Sequence, residues 1–163
     1  MGIFFDDIVS IWNAFYVPQK APTTCWKAGY EMMIRYKGGD PKLTDSLPNH
    51  AQMVQRGIMD SEFSDCAKHI GLGTVSHSWF QQFNNMVHAI RSWGPVWCSG
   101  FFLEGKKHII VVKGVNIDDQ EIEYNDPWRA FTGALPKSTW RPFSWFAKNV
   151  NPVAGSCQVW EKK

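Results

Sequence analysis

The sequence contains no apolar run long enough to cross a membrane. Its longest run, 109–112 with its neighbours, has the length of a strand, whereas a membrane-spanning helix needs about 18 or more apolar residues. Asp6 and Asp7 stand where a Sec signal has basic residues, and Asp6 also replaces the Ser or Thr of a myristoylation signal. We therefore expect either secretion without an N-terminal Sec signal or a cytoplasmic location in the producing cell. The chain can also be a domain of a longer polypeptide.

Cysteine and excess charge are scarce as well. The four cysteines are widely spaced without a Cys-x-x-Cys pair, which argues against a structural zinc site. A chain of 163 residues can bury a core without disulfides, so we expect free core thiols at Cys66, Cys98 and Cys157. The 17 Lys and Arg residues nearly balance 15 Asp and Glu, and a net charge of +2 argues against a nucleic-acid partner.

The sequence has no internal repeat, and its length predicts one domain over residues 1–163. Residues 3–16 fit either a short helix or an extended arm. Helical patterns follow at 25–36, 47–57, 62–70 and 79–92. Strand patterns then take over at 96–103, 108–115, 121–124 and near 156–160, with a short helix near 143–148. This order predicts an α+β fold, with a helical half of about 1–94 and a β-rich half of about 95–163.

Cys25 stands at the first turn of the helix predicted over 25–36, with Thr23 or Thr24 as its cap. A helix N-terminus carries about half a positive charge and unpaired N–H groups, and both stabilise a thiolate. A cysteine in this position can therefore act as a nucleophile. Burial as a small apolar residue is nevertheless the commoner fate of a cysteine, and the position alone leaves both interpretations open.

His108 begins the strongest predicted strand, and it can supply the base that a nucleophilic cysteine needs. Residues 108–115 and 121–124 predict a hairpin, which returns Asn125 and Asp126 to the start of its first strand. There an amide or a carboxylate can orient the imidazole, although Asn-Asp-Pro is also an ordinary turn sequence. Gln19 precedes Cys25 in a loop, where its amide can either donate to an oxyanion or be solvated.

Four segments in this order resemble the papain-like cysteine proteases. They are Gln19-Lys-Ala-Pro-Thr-Thr-Cys25-Trp26, Trp93-Gly-Pro-Val-Trp97, His108-Ile-Ile-Val-Val-Lys-Gly114 and Tyr124-Asn-Asp-Pro-Trp128. Over roughly residues 15–130 they look most similar to the compact bacterial branch of effector proteases and toxin domains, and more distantly to the double-glycine leader peptidases. The Cys-Gly-Ser-Cys-Trp signature of the plant and lysosomal enzymes is absent, and Lys27 follows the Trp where a small residue is common.

The resemblance implies a papain-like fold, in which the catalytic cysteine begins a helix that packs on a C-terminal antiparallel sheet. It implies Cys25 as the nucleophile, His108 as the base and Asp126 as the orienting third member, with Asn125 as the alternative. Gln19 would complete the oxyanion hole. The implied activity is cleavage of peptide bonds in a protein or peptide substrate, without a metal or organic cofactor. Trp97 and Trp128 are expected to pack in the core or the cleft wall.

Two other functions are compatible with the same residues. One is a peptidoglycan amidase or endopeptidase, or an acyl transferase, that uses the same triad. The other is a catalytically inactive papain-like module that binds a partner. The resemblance, the small size and the lack of a pro-segment before Cys25 favour a bacterial effector or toxin. Since such an enzyme would endanger its producer, we also expect a cognate immunity or inhibitor protein.

Overall fold

The fold is built around one long strand that pairs with three other strands. The computed structural model describes residues 2–4, 7–12, 14–128 and 138–161. The strands are β1 (Gly2–Phe4), β2 (Ile8–Ile11), β3 (Gly73–Val75), β4 (Val96–Leu103), β5 (Lys106–Asn116), β6 (Glu121–Asn125), β7 (Thr139–Pro142) and β8 (Cys157–Val159). The helices are α1 (Cys25–Tyr36), α2 (His50–Arg56), α3 (Phe63–Ile70), α4 (Phe83–Trp93) and α5 (Phe143–Asn149). Short 3₁₀ helices span Pro41–Ser46, Asp60–Glu62 and Trp79–Gln81.

All the strand pairs are antiparallel, and β5 lies at their centre. Along one edge β5 pairs with β4 and then with β2, and along its other edge it pairs with β6. The sheet continues from β2 to β1, from β4 through β8 to β3, and from β6 to β7. The predicted hairpin of the second half is therefore present as β5 and β6. The mixture of helices and antiparallel sheet is the predicted α+β fold.

The first half of the chain also contributes strands, which the helical patterns did not indicate. Of the two alternatives for residues 3–16, the extended one holds for the described part that forms β1 and β2, because these strands pair with each other and β2 pairs with β5. In the same half β3 pairs with β8, and in the second half the unpredicted β7 pairs with β6. Strands β1, β2, β3 and β7 are three or four residues long, which is too short to display a period of two. The helix predicted over 79–92 is divided into a 3₁₀ turn and α4, and the one over 47–57 is shortened to α2.

The apolar run in β5 is buried on both faces of the sheet. Ile109 and Val111 belong to one cluster with α1 and α3, while Ile110 and Val112 belong to a second cluster with α4 and α5. A strand covered on both sides needs apolar side chains at every position, which explains the continuous run. The helices carry one apolar face each.

Helix α1 approaches the sheet closely at Gly29. A Cβ atom added there would lie 2.9 Å from the Trp97 side chain and 3.0 Å from Ile109 Cγ2. Trp97 is fully buried, stacks on Tyr30 with ring centroids 4.7 Å apart, and donates from Nε1 to the backbone oxygen of Trp26. Trp97 is thus a core residue, one of the two roles expected for it. This contact sets the distance between α1 and β5, the two elements that carry Cys25 and His108.

No helix within the described residues is long and apolar enough to cross a bilayer.

Candidate active site

Cys25 is the first residue of α1, and its side chain is partly exposed. The preceding Thr24 occupies the N-cap position, but its hydroxyl makes no capping hydrogen bond. It bonds to the backbone of Ala21 instead, and the Thr23 hydroxyl donates to Val54. The predicted side-chain cap is therefore wrong in its hydrogen bonding, because the two hydroxyls bond to the loop before α1 and to α2 instead. The first N–H groups of the helix consequently stay available near the thiol.

His108 contacts the carboxylate of Asp126 and lies close to the thiol of Cys25. It lies near the start of β5, is 4% exposed, and places Nε2 2.6 Å from Oδ1 of Asp126. Asn125 ends β6 opposite Val111, so the carboxylate of the next residue reaches back to His108. The Cys25 thiol lies close enough to the imidazole to raise its pKa. Since Nε2 is used by Asp126, Nδ1 is the nitrogen left for Cys25.

The surroundings of His108 favour its protonated form. Burial alone would lower the pKa of the imidazole, but hydrogen bonds to Asp126 and Cys25, with the charges of both groups, outweigh it. The net effect raises the pKa of His108 from 6.5 to about 9. The ring therefore carries a proton at neutral pH, which suits a thiolate–imidazolium pair.

Asp126 is held in place by its neighbours in the turn. Its Oδ1 also accepts from the backbone N–H of Trp128 at 3.0 Å, and Tyr16 donates its hydroxyl to the Asp126 carbonyl. Asn125, the alternative third member, is directed elsewhere, since its Nδ2 donates to the carbonyl of Ala14 at 3.1 Å. The structure therefore brings Asp126 to His108 and uses Asn125 to tie β6 to the segment before α1.

Gln19 is buried beside this turn. Its backbone N–H donates to the carbonyl of Pro127, which joins the loop before α1 to the turn after β6. The side-chain Nε2 donates one hydrogen to the carbonyl of Ala21 at 2.8 Å, and an amide nitrogen carries two. Oε1 is buried without a partner among the described residues. Gln19 is only 3% exposed, and its amide therefore keeps a buried oxygen and one N–H without a partner among the described residues.

The segments that build this site match one family of known proteins. Residues 10–148, most of the chain, match the family described as papain-like cysteine protease AvrRpt2. The chain belongs to this family. It is a cysteine-type peptidase with an α+β papain-like fold, as the resemblance implied. A search of curated proteins found no match.

The other thiols of this family member lie in the core. Burial raises the pKa of Cys66 to about 11 and holds the pKa of Cys98 well above its ordinary range. Cys157 faces Cys98 across β4 and β8, and both are free and fully buried. The expectation of free core thiols is confirmed for all three. In the described part of the chain, no group of three or more His, Cys, Asp or Glu side chains is placed to hold a metal ion.

Sequence reasoning missed one residue that supports the site. Tyr16 contacts Asp126 through its hydroxyl, although 110 positions separate them in the chain. No local pattern marks this tyrosine, because the contact depends on the path of the chain from β2 to α1. It is a positioning residue, since it contacts the backbone of Asp126 and not a reacting atom.

Proposed function

We propose that this peptidase cleaves peptide bonds through a triad of Cys25, His108 and Asp126. The observation that carries the proposal is the placement of His108, whose Nε2 donates to Asp126 Oδ1 at 2.6 Å and whose ring lies close enough to Cys25 for the thiol to raise its pKa. Family membership supports a protein substrate, and the helix N-terminus supports a thiolate at Cys25. Asn125 is the weaker choice for the third role because its amide is bonded to Ala14.

In the proposed reaction the Cys25 thiolate attacks the carbonyl carbon of the scissile peptide. The oxyanion that forms is stabilised by the backbone N–H of Cys25 and by the free hydrogen of Gln19 Nε2, each worth about 3 kcal/mol. His108 gives its proton to the leaving amine, which departs as the thioester forms. A water molecule, deprotonated by His108, then hydrolyses the thioester and releases the thiol.

The test is labelling by a thiol-directed epoxide inhibitor, with the modified residue located by mass spectrometry. Wild-type protein should be modified at Cys25 alone. His108→Ala should lose this labelling while it keeps its fold, as checked by circular dichroism. Equal and slow labelling of several cysteines, unchanged by the substitution, would mean that Cys25 is not activated and would favour the inactive binding module.

The choice of substrate needs a second assay. Membership of a protease family favours an unfolded protein over a peptidoglycan cross-link or an acyl-transfer substrate. We expect the wild type to cleave unfolded casein and to leave purified cross-linked muropeptides intact. The Cys25→Ser variant serves as the control for contaminating proteases. Cleavage of muropeptides but not of casein would establish the alternative hydrolase.

We further propose that the peptidase is a bacterial effector or toxin. The family match supports the effector role. The cognate immunity or inhibitor protein stays a prediction. Affinity purification from the producing cell with Cys25→Ala protein as bait should recover one stoichiometric partner, whereas recovery of none at the bait's own concentration would contradict it.

A further inference from the structure

A groove runs along α1 beside the loop that carries Gln19. Its volume is about 410 Å³, and its walls are the loop 18–21, one stripe of α1 and the 3₁₀ helix Pro41–Ser46. The stripe begins at the N-cap and consists of residues that share one face of the helix: Thr24, Lys27, Ala28, Glu31 and Arg35. Cys25, His108 and Asp126 do not line the groove. It is therefore adjacent to the proposed reacting groups and shares only the Gln19 loop with the site.

The groove carries an excess of positive charge. Its charged residues are the cations Lys20, Lys27, Arg35 and Lys42 and the acids Glu31 and Asp45. Lys27 Nζ lies 2.7 Å from Asp45 Oδ1, so these two charges are paired with each other. No carboxylate of the described residues lies within 4.0 Å of the side-chain nitrogens of Lys20, Arg35 or Lys42. Outside the pair of Lys27 and Asp45, the groove therefore has three cations and one acid, Glu31.

The half-buried Glu31 does not cancel this excess. Burial raises the pKa of its carboxyl, against the opposing effect of Lys27, Lys20 and Arg35. Lys27, Lys20 and Arg35 are therefore all close enough to Glu31 to act on its carboxyl. An anionic side chain that entered the groove would meet cations on the loop, on α1 and on the 3₁₀ helix.

The groove and the proposed oxyanion donor share the loop 18–21, which carries Gln19 and forms one wall of the groove. A substrate whose scissile carbonyl lies against Gln19 therefore has this groove beside it. The stripe from Thr24 to Arg35 extends for about 16 Å at the helical rise of about 1.5 Å per residue. That length accommodates about five residues of extended chain.

We propose that this groove binds an acidic segment of the protein substrate within about five residues of the scissile bond. The inference rests on the proposed function, and it names the class of substrate that the site prefers. Lys20, Arg35 and Lys42 are its specificity-determining residues. Charge complementarity between them and a Glu or Asp side chain lowers KM, and the chemical step is unaffected.

The experiment begins with a peptide library prepared by digesting a cell proteome. The library is cleaved by the wild type, and the sites are read by mass spectrometry. Three synthetic peptides then carry Glu, Gln or Lys at the most selective position and are otherwise identical. We expect kcat/KM to fall about tenfold from the Glu to the Lys peptide, mostly through KM, and the difference to shrink in high salt.

Two double variants separate the groove from the overall charge. Arg35→Glu with Lys42→Glu reverses two groove charges and should abolish or invert the preference for the Glu peptide. Lys68→Glu with Lys148→Glu makes the same change in net charge in the last turns of α3 and α5, outside the groove, and should keep the preference. All the proteins are compared at equal concentrations of active thiol, titrated with the epoxide.

Each outcome decides between the proposals. Equal cleavage of the three peptides by the wild type, or an unchanged preference in the groove variant, would overturn the acidic-segment inference and leave the proposed triad standing. Loss of preference in the control variant would also overturn it, because net charge would then explain the selectivity. Failure of the wild type to cleave any peptide in the library would overturn the proposed function, and this inference with it.

Discussion

Replacement of Asp126 by Asn removes the charge next to His108 and keeps a hydrogen-bond acceptor in the same place. The rise in the pKa of His108 from 6.5 to about 9 corresponds to about 3 kcal/mol in favour of the charged ring. Asp126 provides part of this rise, and Cys25 provides the rest. Without the carboxylate, burial lowers the pKa of His108 and the imidazolium is lost at a lower pH.

The expected readout is the basic limb of the pH profile of kcat/KM. In the wild type this limb should lie near pH 9, because His108 must hold a proton to give to the leaving amine. In Asp126→Asn it should move down by at least about one pH unit. If the pKa of His108 returned to 6.5, only about 3% of the rings would be protonated at pH 8, which corresponds to about a thirtyfold loss there. The loss at pH 6 should be smaller.

The free energy of unfolding should also depend on the protonation of His108. Because the folded pKa of His108 is raised, its contribution to the free energy of unfolding is fully present below about pH 6.5. It is lost as the pH rises through about 9. Denaturant unfolding of wild type and Asp126→Asn from pH 6 to pH 10 measures this difference, which should be largest at the acid end.

The control is Asn125→Ala, which breaks the hydrogen bond to Ala14 and leaves the carboxylate in place. It should lower the unfolding midpoint without moving the basic limb. A basic limb that stays near pH 9 in Asp126→Asn would refute the reasoning, since the charge of Asp126 would then not stabilise the imidazolium. A shift in Asn125→Ala but not in Asp126→Asn would assign the third role to Asn125.

Three further predictions address the packing, the oxyanion and the thiols. Gly29→Ala should destabilise the protein by about 1–3 kcal/mol in denaturant unfolding, because the new methyl group would overlap Trp97, and unchanged stability would contradict this close contact. Gln19→Ala should lower kcat about 100-fold with little change in KM, and a rise in KM alone would assign Gln19 to substrate binding. Iodoacetamide should modify one thiol, Cys25, in the native protein and all four after denaturation; fast native modification of a second thiol would contradict the burial of the other three.

The sequence by itself predicted the candidate residues of the site and the main helices and strands that carry them. A cysteine at a helix start, a histidine at a strand start and a carboxylate after the next strand are local patterns. Their spacing along a hairpin was enough to predict that Asn125 or Asp126 returns to His108, because pairing in an antiparallel ladder follows directly from the turn. The α+β class followed from the change of period near residue 95 in the same way.

Only the tertiary structure shows that the side chain of Asp126, and not that of Asn125, contacts His108, since consecutive residues at a strand end point in opposite directions and the strand end had to be located first. It also placed β1 and β2 on β5, and the Tyr16 hydroxyl on Asp126. The charged groove could not be predicted either, because its cations come from a loop, a helix and a 3₁₀ turn whose approach depends on how α1 packs. Local periodicity records which face of an element is buried, whereas contacts between distant segments depend on the packing of the whole chain.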